Sequence, residues 1–243
     1  MKFNKDLAAI HGYLCSDGYV IKNPPTQRHK YYHIGLRNTC LTLLEDFRDR
    51  CKRLFNVNAI IYRNERCRFQ SKEVYYKLTE KQTYYSEKWN LPVLSKKNLS
   101  LWLRAYFDCD GWAFVDGRQN RHIGLDSINH KGVLQIQRAL KRFRIESKVR
   151  KIKNEYMSRL LVYKKESLIN YQKHIGFLHK AKDAKLDKAI NSYVDYNWKF
   201  PGKTKLRAFM VELLKRKARV KSNGIIRVDS IIKKNLIKLS EIL

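Results

Sequence analysis

The nine residues Ile10-His-Gly-Tyr-Leu-Cys-Ser-Asp17-Gly18 recur as Leu103-Arg-Ala-Tyr-Phe-Asp-Cys-Asp110-Gly111. Each copy reads as an apolar helical segment that ends in an acid and a glycine. Gly12 matches Ala105 and Ser16 matches Cys109, so both copies carry two small residues four apart on one helix face. Small residues there let two helix backbones come unusually close. Packing along that face brings Asp17 and Asp110 together. Two carboxylates forced together need a cation.

The correspondence extends outward from these segments. Asp17 and Asp110 lie 93 apart, Lys72-Glu73 and Lys165-Glu166 lie 93 apart (165 − 72), and Ile34-Gly35-Leu36 recurs 89 later as Ile123-Gly124-Leu125. Apolar periodicity and turn residues place a helix after Asn4, strands over 19–22 and 30–37, a helix over 41–55, strands near 57–62 and 66–70, and a helix from Lys72. The second copy repeats that order with strands over 112–115 and 121–127, a helix over 130–143, strands over 146–152 and 157–163, and helices from Lys165 and Lys180. This is an internal duplication. The fold class is α+β, with repeats over 1–95 and 96–194. Residues 193–205 read as a linker, and 195–243 as a helix-hairpin-helix appendage with an Asn223-Gly224 turn. The appendage is either a small DNA-binding module or a packing brace.

Charge names the partner class. Lysine and arginine exceed aspartate and glutamate by 52 − 22 = +30, an excess that makes nucleic acid the leading partner and an anionic membrane surface the second. A hydrophobic content of 44% with 15 Tyr and 10 Phe argues against a disordered basic tail. Five cysteines, at 15, 40, 51, 67 and 109, form no C-x-x-C pair, so neither a zinc knuckle nor a disulfide framework is expected. No apolar run approaches the roughly 18 residues of a membrane span, and the N-terminus lacks a signal-peptide core. The expectation is a soluble intracellular protein, cytoplasmic or organellar.

Four strands per copy imply two antiparallel sheets, each burying one face against helices and pointing Arg and Lys outward to enter a DNA groove. Candidate DNA-binding residues on that face or its loops are Lys22, Arg28, Lys30, Arg37, Arg63, Arg66, Arg68, Arg118, Asn120, Arg121, Lys151, Lys153 and Arg159.

The doubled segment resembles the signature of LAGLIDADG homing endonucleases. The second copy keeps the leucine, the small third residue and the Asp-small-Asp-Gly ending; the first keeps Gly12, Asp17 and Gly18 but has Cys15 in place of the first acid. The resemblance covers about 190 residues. It implies a monomer whose two αββαββα halves form a pseudo-twofold saddle over a long, asymmetric DNA site. It also implies Mg²⁺-dependent hydrolysis of one phosphodiester per strand, with Asp17 and Asp110 as metal ligands and water as nucleophile. With a reference pKa of about 3.9 both acids are expected to be ionised, and hard oxygen ligands select Mg²⁺ or Mn²⁺. The family places a basic residue near each centre. Lys72 and Lys165, which match across the repeats, are the candidates for that catalytic role, and their alternative is a surface charge at a helix start; Arg37 is a further candidate. Start and end residues fit a freestanding or intron-encoded protein better than an excised intein. The competing functions are a non-cleaving sequence-specific DNA-binding protein or an intron RNA maturase of the same fold, and a structural RNA-binding protein.

Overall fold

Residue pattern and backbone agree on two copies of one unit in a computed structural model that describes residues 2–116, 120–152 and 156–193, together with the backbone of 196–199, 219–220 and 225–228. The first unit runs α1 (Lys5–Cys15), β1 (Gly18–Lys22), β2 (Tyr32–Arg37), α2 (Leu41–Phe55), β3 (Ile60–Tyr62), β4 (Arg66–Gln70) and α3 (Lys72–Thr79). The second runs α4 (Lys96–Asp110), β5 (Gly111–Val115), β6 (Arg121–Ser127), α5 (His130–Lys141), β7 (Lys148–Lys151), β8 (Ser158–Val162), α6 (Lys165–His174) and α7 (Lys180–Asn191). Each unit folds its strands into a four-stranded antiparallel sheet, in order β1-β2-β4-β3 and β5-β6-β8-β7.

The N-terminal caps show why the signature helices start where they do. Asn4 accepts from the Leu7 amide at 2.9 Å, and Ser95 accepts from the Asn98 amide at 3.3 Å, each satisfying an otherwise orphaned donor. Helix α1 is buried on all sides from Asp6 to Cys15, the pattern of a helix at the centre of a protein. The Gly12 face is the reason it fits. A Cβ built on Gly12 would stand 2.5 Å from the Trp102 carbonyl oxygen and 3.1 Å from Ala105 Cβ, so α1 and α4 touch backbone to backbone. Ala105 joins the core of the first unit, with Ile34, Leu36, Leu44 and Phe47, while Ala8 and Cys15 join the core of the second, with Ile123, Leu125, Val133 and Ile136. Two cores are thus stitched through one helix pair.

The connection between units, residues 80–95, leans on the second. Trp89 is 1% exposed, packs on Trp102 and Tyr106, and accepts at its carbonyl from Asn129 Nδ2 at 2.7 Å. Within the C-terminal stretch, β9 (Tyr196–Lys199) pairs with β11 (Ile225–Val228), which pairs with β10 (Arg219–Val220). β10 and β11, which flank the expected hairpin turn, pair antiparallel. Residues 196–199, read from sequence as part of a linker, instead form a strand, because β11 offers them a free edge. The helices expected in the appendage and its Asn223-Gly224 turn lie outside the described residues. No helix among the described residues is long and apolar enough to cross a membrane. The five cysteines are free thiols.

Candidate active site at the helix junction

Helix α4 passes directly into β5 and α1 reaches β1 through the turn Ser16-Asp17, and the glycine after each aspartate makes the tight bend possible. A Cβ on Gly18 would meet Leu14 Cα at 2.4 Å, and one on Gly111 would meet the Phe107 carbonyl oxygen at 2.6 Å. The aspartates therefore stand at the bend, at the end of the α1–α4 seam. Asp17 is tied to β2 twice, since its carbonyl accepts from the Arg37 amide at 3.1 Å and its carboxylate accepts from Asn38 Nδ2 at 2.7 Å. Asp110 has no such direct bond. Burial and then the nearby charge of Asp17 push its carboxyl up to about 7. The expectation of an ordinary ionised aspartate is corrected for Asp110: burial first, and the neighbouring carboxylate second, keep its proton on to near neutrality.

Around Asp110 lies a recess of about 260 Å³ lined by Ser16, Tyr106, Asp126 and Ser127 among others. Tyr106 is fully buried, its hydroxyl close enough to Asp110 and Ser127 to shift its titration without closing a hydrogen bond to either. Asn38 and Ser127 occupy equivalent places, each two residues after the repeated Ile-Gly-Leu. They are the polar groups at the junction that sequence reasoning missed, and that shared offset was the available signal.

The basic residue near the pair is Lys182. It lies on α7, and its Nζ donates to the carbonyls of Asp108 at 2.5 Å and Cys109 at 3.1 Å, capping the last turn of α4. Burial lowers its pKa, and the charges of Asp108, Asp17 and Asp110 oppose that shift. Asp108, fully buried, accepts from the amides of Leu178 and His179 at 3.0 Å each, and burial pushes it up to about 6 against those bonds. It anchors the start of α7.

The structure places Lys72 and Lys165 elsewhere. Asp17 adjoins the Arg37–Arg66 end of the first sheet, whereas Lys72 follows Gln70 at the opposite end, and Lys165 likewise follows the end of β8 remote from Asp110. A catalytic role for them is corrected to helix-start charges. Lys22 shares the Lys72 end, beside Tyr76, and has the inward register of Val20 rather than the outer one.

The remaining cations divide by register. Arg37, Arg66 and Arg68 share the outer face of the first sheet, opposite buried Ile34, Leu36 and Cys67. Arg63 occupies the β3–β4 turn at φ 49°, and a hollow of about 740 Å³ opens between Arg37, Asn38, Tyr62, Arg63 and Arg66. Arg28 is exposed in the β1–β2 loop. Lys30 is exposed in the same loop, where its ammonium donates to the carbonyls of Pro24, Pro25 and Gln27. Asn120 is spent on Asp116, at 2.9 Å from its amide and 2.8 Å from its side chain. Arg121 is corrected outright: it has the inward register of Ile123, is 7% exposed, donates to Ser192 and stacks on Tyr193 at 4.5 Å. Arg159 faces outward but its guanidinium is held by Asp126 at 2.8 and 2.6 Å. Lys151 is exposed at the end of edge strand β7 with the inward register of Val149. Arg118 and Lys153 lie outside the described residues.

Fold and junction together define a protein built of two αββαββα units, with a carboxylate from each at the shared helix seam. The LAGLIDADG-like domain family matches residues 4–91 and 97–176, and the chain belongs to that family. Among solved structures it resembles mesophilic variants of the homing endonuclease I-DmoI, with TM-score 0.55 and 14% identity over 76% of this chain and all of that one. It also resembles I-DmoI in complex with DNA and Mn, with TM-score 0.53 and 13% identity over 69% of this chain and 94% of that one. At such identity the likeness is one of fold. A curated relative, glutamine--fructose-6-phosphate aminotransferase [isomerizing] of Methanocaldococcus jannaschii, is 25% identical over 219 residues. That match takes in 80% of this chain, which spans less than a fifth (18%) of the relative's length.

The donor set suits one kind of metal. Among the described residues no group of three or more His, Cys, Asp or Glu side chains could hold an ion, so an ion at the junction would have only the two carboxylates to draw on. Mg²⁺ is bound in this way, by one or two carboxylates with water and substrate phosphates completing the octahedron.

Proposed function

We propose that this chain is a site-specific endonuclease that cuts both strands of a long asymmetric DNA site, with Mg²⁺ or Mn²⁺ as cofactor and the chain acting as a monomer. The observation that carries the reading is the meeting of Asp17 and Asp110 at a seam where Gly12 lies against the Trp102 carbonyl. Among the described residues no cationic side chain forms an ion pair with either carboxylate. A bound divalent ion would lower the pKa of a water and offset charge on the attacked phosphate and leaving oxygen. Asp17 and Asp110 supply the oxygen ligands, and Asn38 orients the Asp17 carboxylate. Asp110 must release its proton to bind, so cation binding strengthens as pH rises through about 7. Arg37, Arg66 and Arg68 neutralise and position the duplex.

The second reading is a non-cleaving DNA-binding relative. A proton on Asp110 leaves less negative charge facing phosphates than two ionised acids would, so the pair is compatible with binding alone. The test is incubation with a randomised duplex library in Mg²⁺ and in EDTA, followed by sequencing of new ends. Metal-dependent ends at one motif on both strands, absent with Asp110→Asn, establish the endonuclease. Enriched binding without ends establishes the DNA binder, and neither result turns attention to intron RNA.

A further inference from the structure

The outer faces of the two sheets share a register and differ in chemistry. On the first, Gly35 pairs with Arg68 and Arg37 with Arg66. Arg37 stacks on Tyr19 at 5.5 Å, while Arg66 and Arg68 stack on Tyr62 at 5.6 and 4.8 Å. No described acid forms a salt bridge with these three arginines. On the second, Gly124 pairs with Leu161 and Asp126 with Arg159, so Leu161 stands where the first sheet has Arg68 and Asp126 where it has Arg37. The Arg159 guanidinium lies over Trp112 at 5.3 Å with two nitrogens on the Asp126 carboxylate. Phe114 is 41% exposed and stacks on His122 at 5.1 Å.

A guanidinium supported by a ring and unpaired with acid presents a rigid fork, the geometry that matches O6 and N7 of guanine in the major groove. In the second sheet that fork is occupied. Beside Lys148 and Arg150 on edge strand β7, that face offers the apolar surface of Phe114 on edge strand β5 and Leu161 on β8, which complements the thymine methyl group. Resting on the DNA-binding reading above, we propose that the two halves read different base classes: the N-terminal half reads guanines through Arg37, Arg66 and Arg68, and the C-terminal half reads thymines through Phe114 and Leu161. The Asp126–Arg159 pair is the specificity-determining element that withdraws ring-supported guanine recognition from the central strands of the second sheet, where the remaining outward guanidinium, Arg150, stands on edge strand β7.

The experiment is selection of randomised duplexes retained by the full chain in Ca²⁺, repeated with Arg68→Ala, Phe114→Ala and Asp126→Asn, each checked for an unchanged thermal transition. The expected target has guanine-enriched positions on one side of its centre and thymine-enriched positions on the other. Arg68→Ala is expected to lower discrimination roughly tenfold at a guanine position only, and Phe114→Ala to flatten a thymine position only. Asp126→Asn, which removes the negative charge that holds the Arg159 fork, is expected to gain a guanine preference on the thymine side. Equal base composition on both sides overturns the assignment, as does loss at the same positions in Arg68→Ala and Phe114→Ala. Retention of duplex without base preference also overturns it while leaving the DNA-binding reading intact; failure to retain duplex at all overturns both.

Discussion

Two residues before each helix-end aspartate, the first half has Cys15 and the second has Asp108. Cys15 Sγ lies 3.3 Å from His11 Nδ1, and His11 also accepts from Trp102 Nε1 at 2.9 Å while its Nε2 meets Gln82 Oε1 at 3.2 Å. These partners put the proton on Nε2, and burial lowers the His11 pKa to about 4, so the imidazole is a neutral part of the interhelix packing. Asp108 instead holds two amides ahead of α7. The same position serves as a neutral plug in one unit and an anchor in the other. Further out, Asn38 faces Ser127 in the correspondence and Arg37 faces Asp126. Backbone-setting residues, Gly12 with Ala105 and Gly18 with Gly111, stay small in both halves because nothing larger fits. Side chains around the carboxylates and on the outer faces have diverged.

The comparison breaks first at the aspartates. Asp17→Asn and Asp110→Asn are each expected to lower double-strand cleavage roughly 10²–10³-fold while duplex retention stays within about threefold. Plasmid cleavage and retention assays read the two effects, and a variant that cuts both strands at the parental rate would remove the two-centre assignment. The inequality of the centres is sharpened next. Asn38→Ala removes the 2.7 Å bond to Asp17 and is expected to slow one strand about tenfold, so that nicked circles accumulate. Ser127→Ala, which removes no direct bond to Asp110, is expected to change the second strand by less than about threefold. The opposite order in a time course would invert the comparison.

The seam gives a smaller effect. Gly12→Ala places a methyl against the Trp102 carbonyl and is expected to cost about 2 kcal/mol despite a gain of about 1 kcal/mol in helix propensity. Ala105→Gly is expected to cost about 1 kcal/mol. Urea unfolding decides: a Gly12→Ala variant as stable as the parent would show that the helices can part. Smallest is a pH effect. An acid whose folded pKa is raised from 3.8 to about 7 binds its proton more tightly folded than unfolded, so its contribution falls as pH climbs across that interval. With the charge partly screened, Asp110→Asn in EDTA is expected to gain about 1 kcal/mol at pH 8, roughly 3 °C in Tm, and less at pH 5. A larger gain at pH 5 would contradict the burial of Asp110 beside Asp17.

Residue identities at fixed offsets make the element order and the meeting of Asp17 with Asp110 legible in the sequence, because close helix packing needs small residues at set positions. Strand register is legible only where alternation is clear. Arg121 reads as an outward cation from its type, yet its parity with Ile123 turns it inward, and Lys22 and Lys151 escape burial only by standing at strand ends. Lys182 is not legible. It is one lysine among Lys180, Lys185 and Lys188 on a single helix, and its place against the α4 carbonyls arises from tertiary packing alone.

The anchoring of α7 by Asp108 and Lys182 makes the two halves unequal at the end of the seam. Two copies of the first unit would lack a helix to close over the end of their seam, with Cys15 and Trp89 at the positions matching Asp108 and Lys182. Two copies of the second would crowd Trp102 and Ala105 against themselves where α4 now meets Gly12. Each half thus supplies the seam with a feature the other lacks, the Gly12 gap from the first and the α7 anchor from the second.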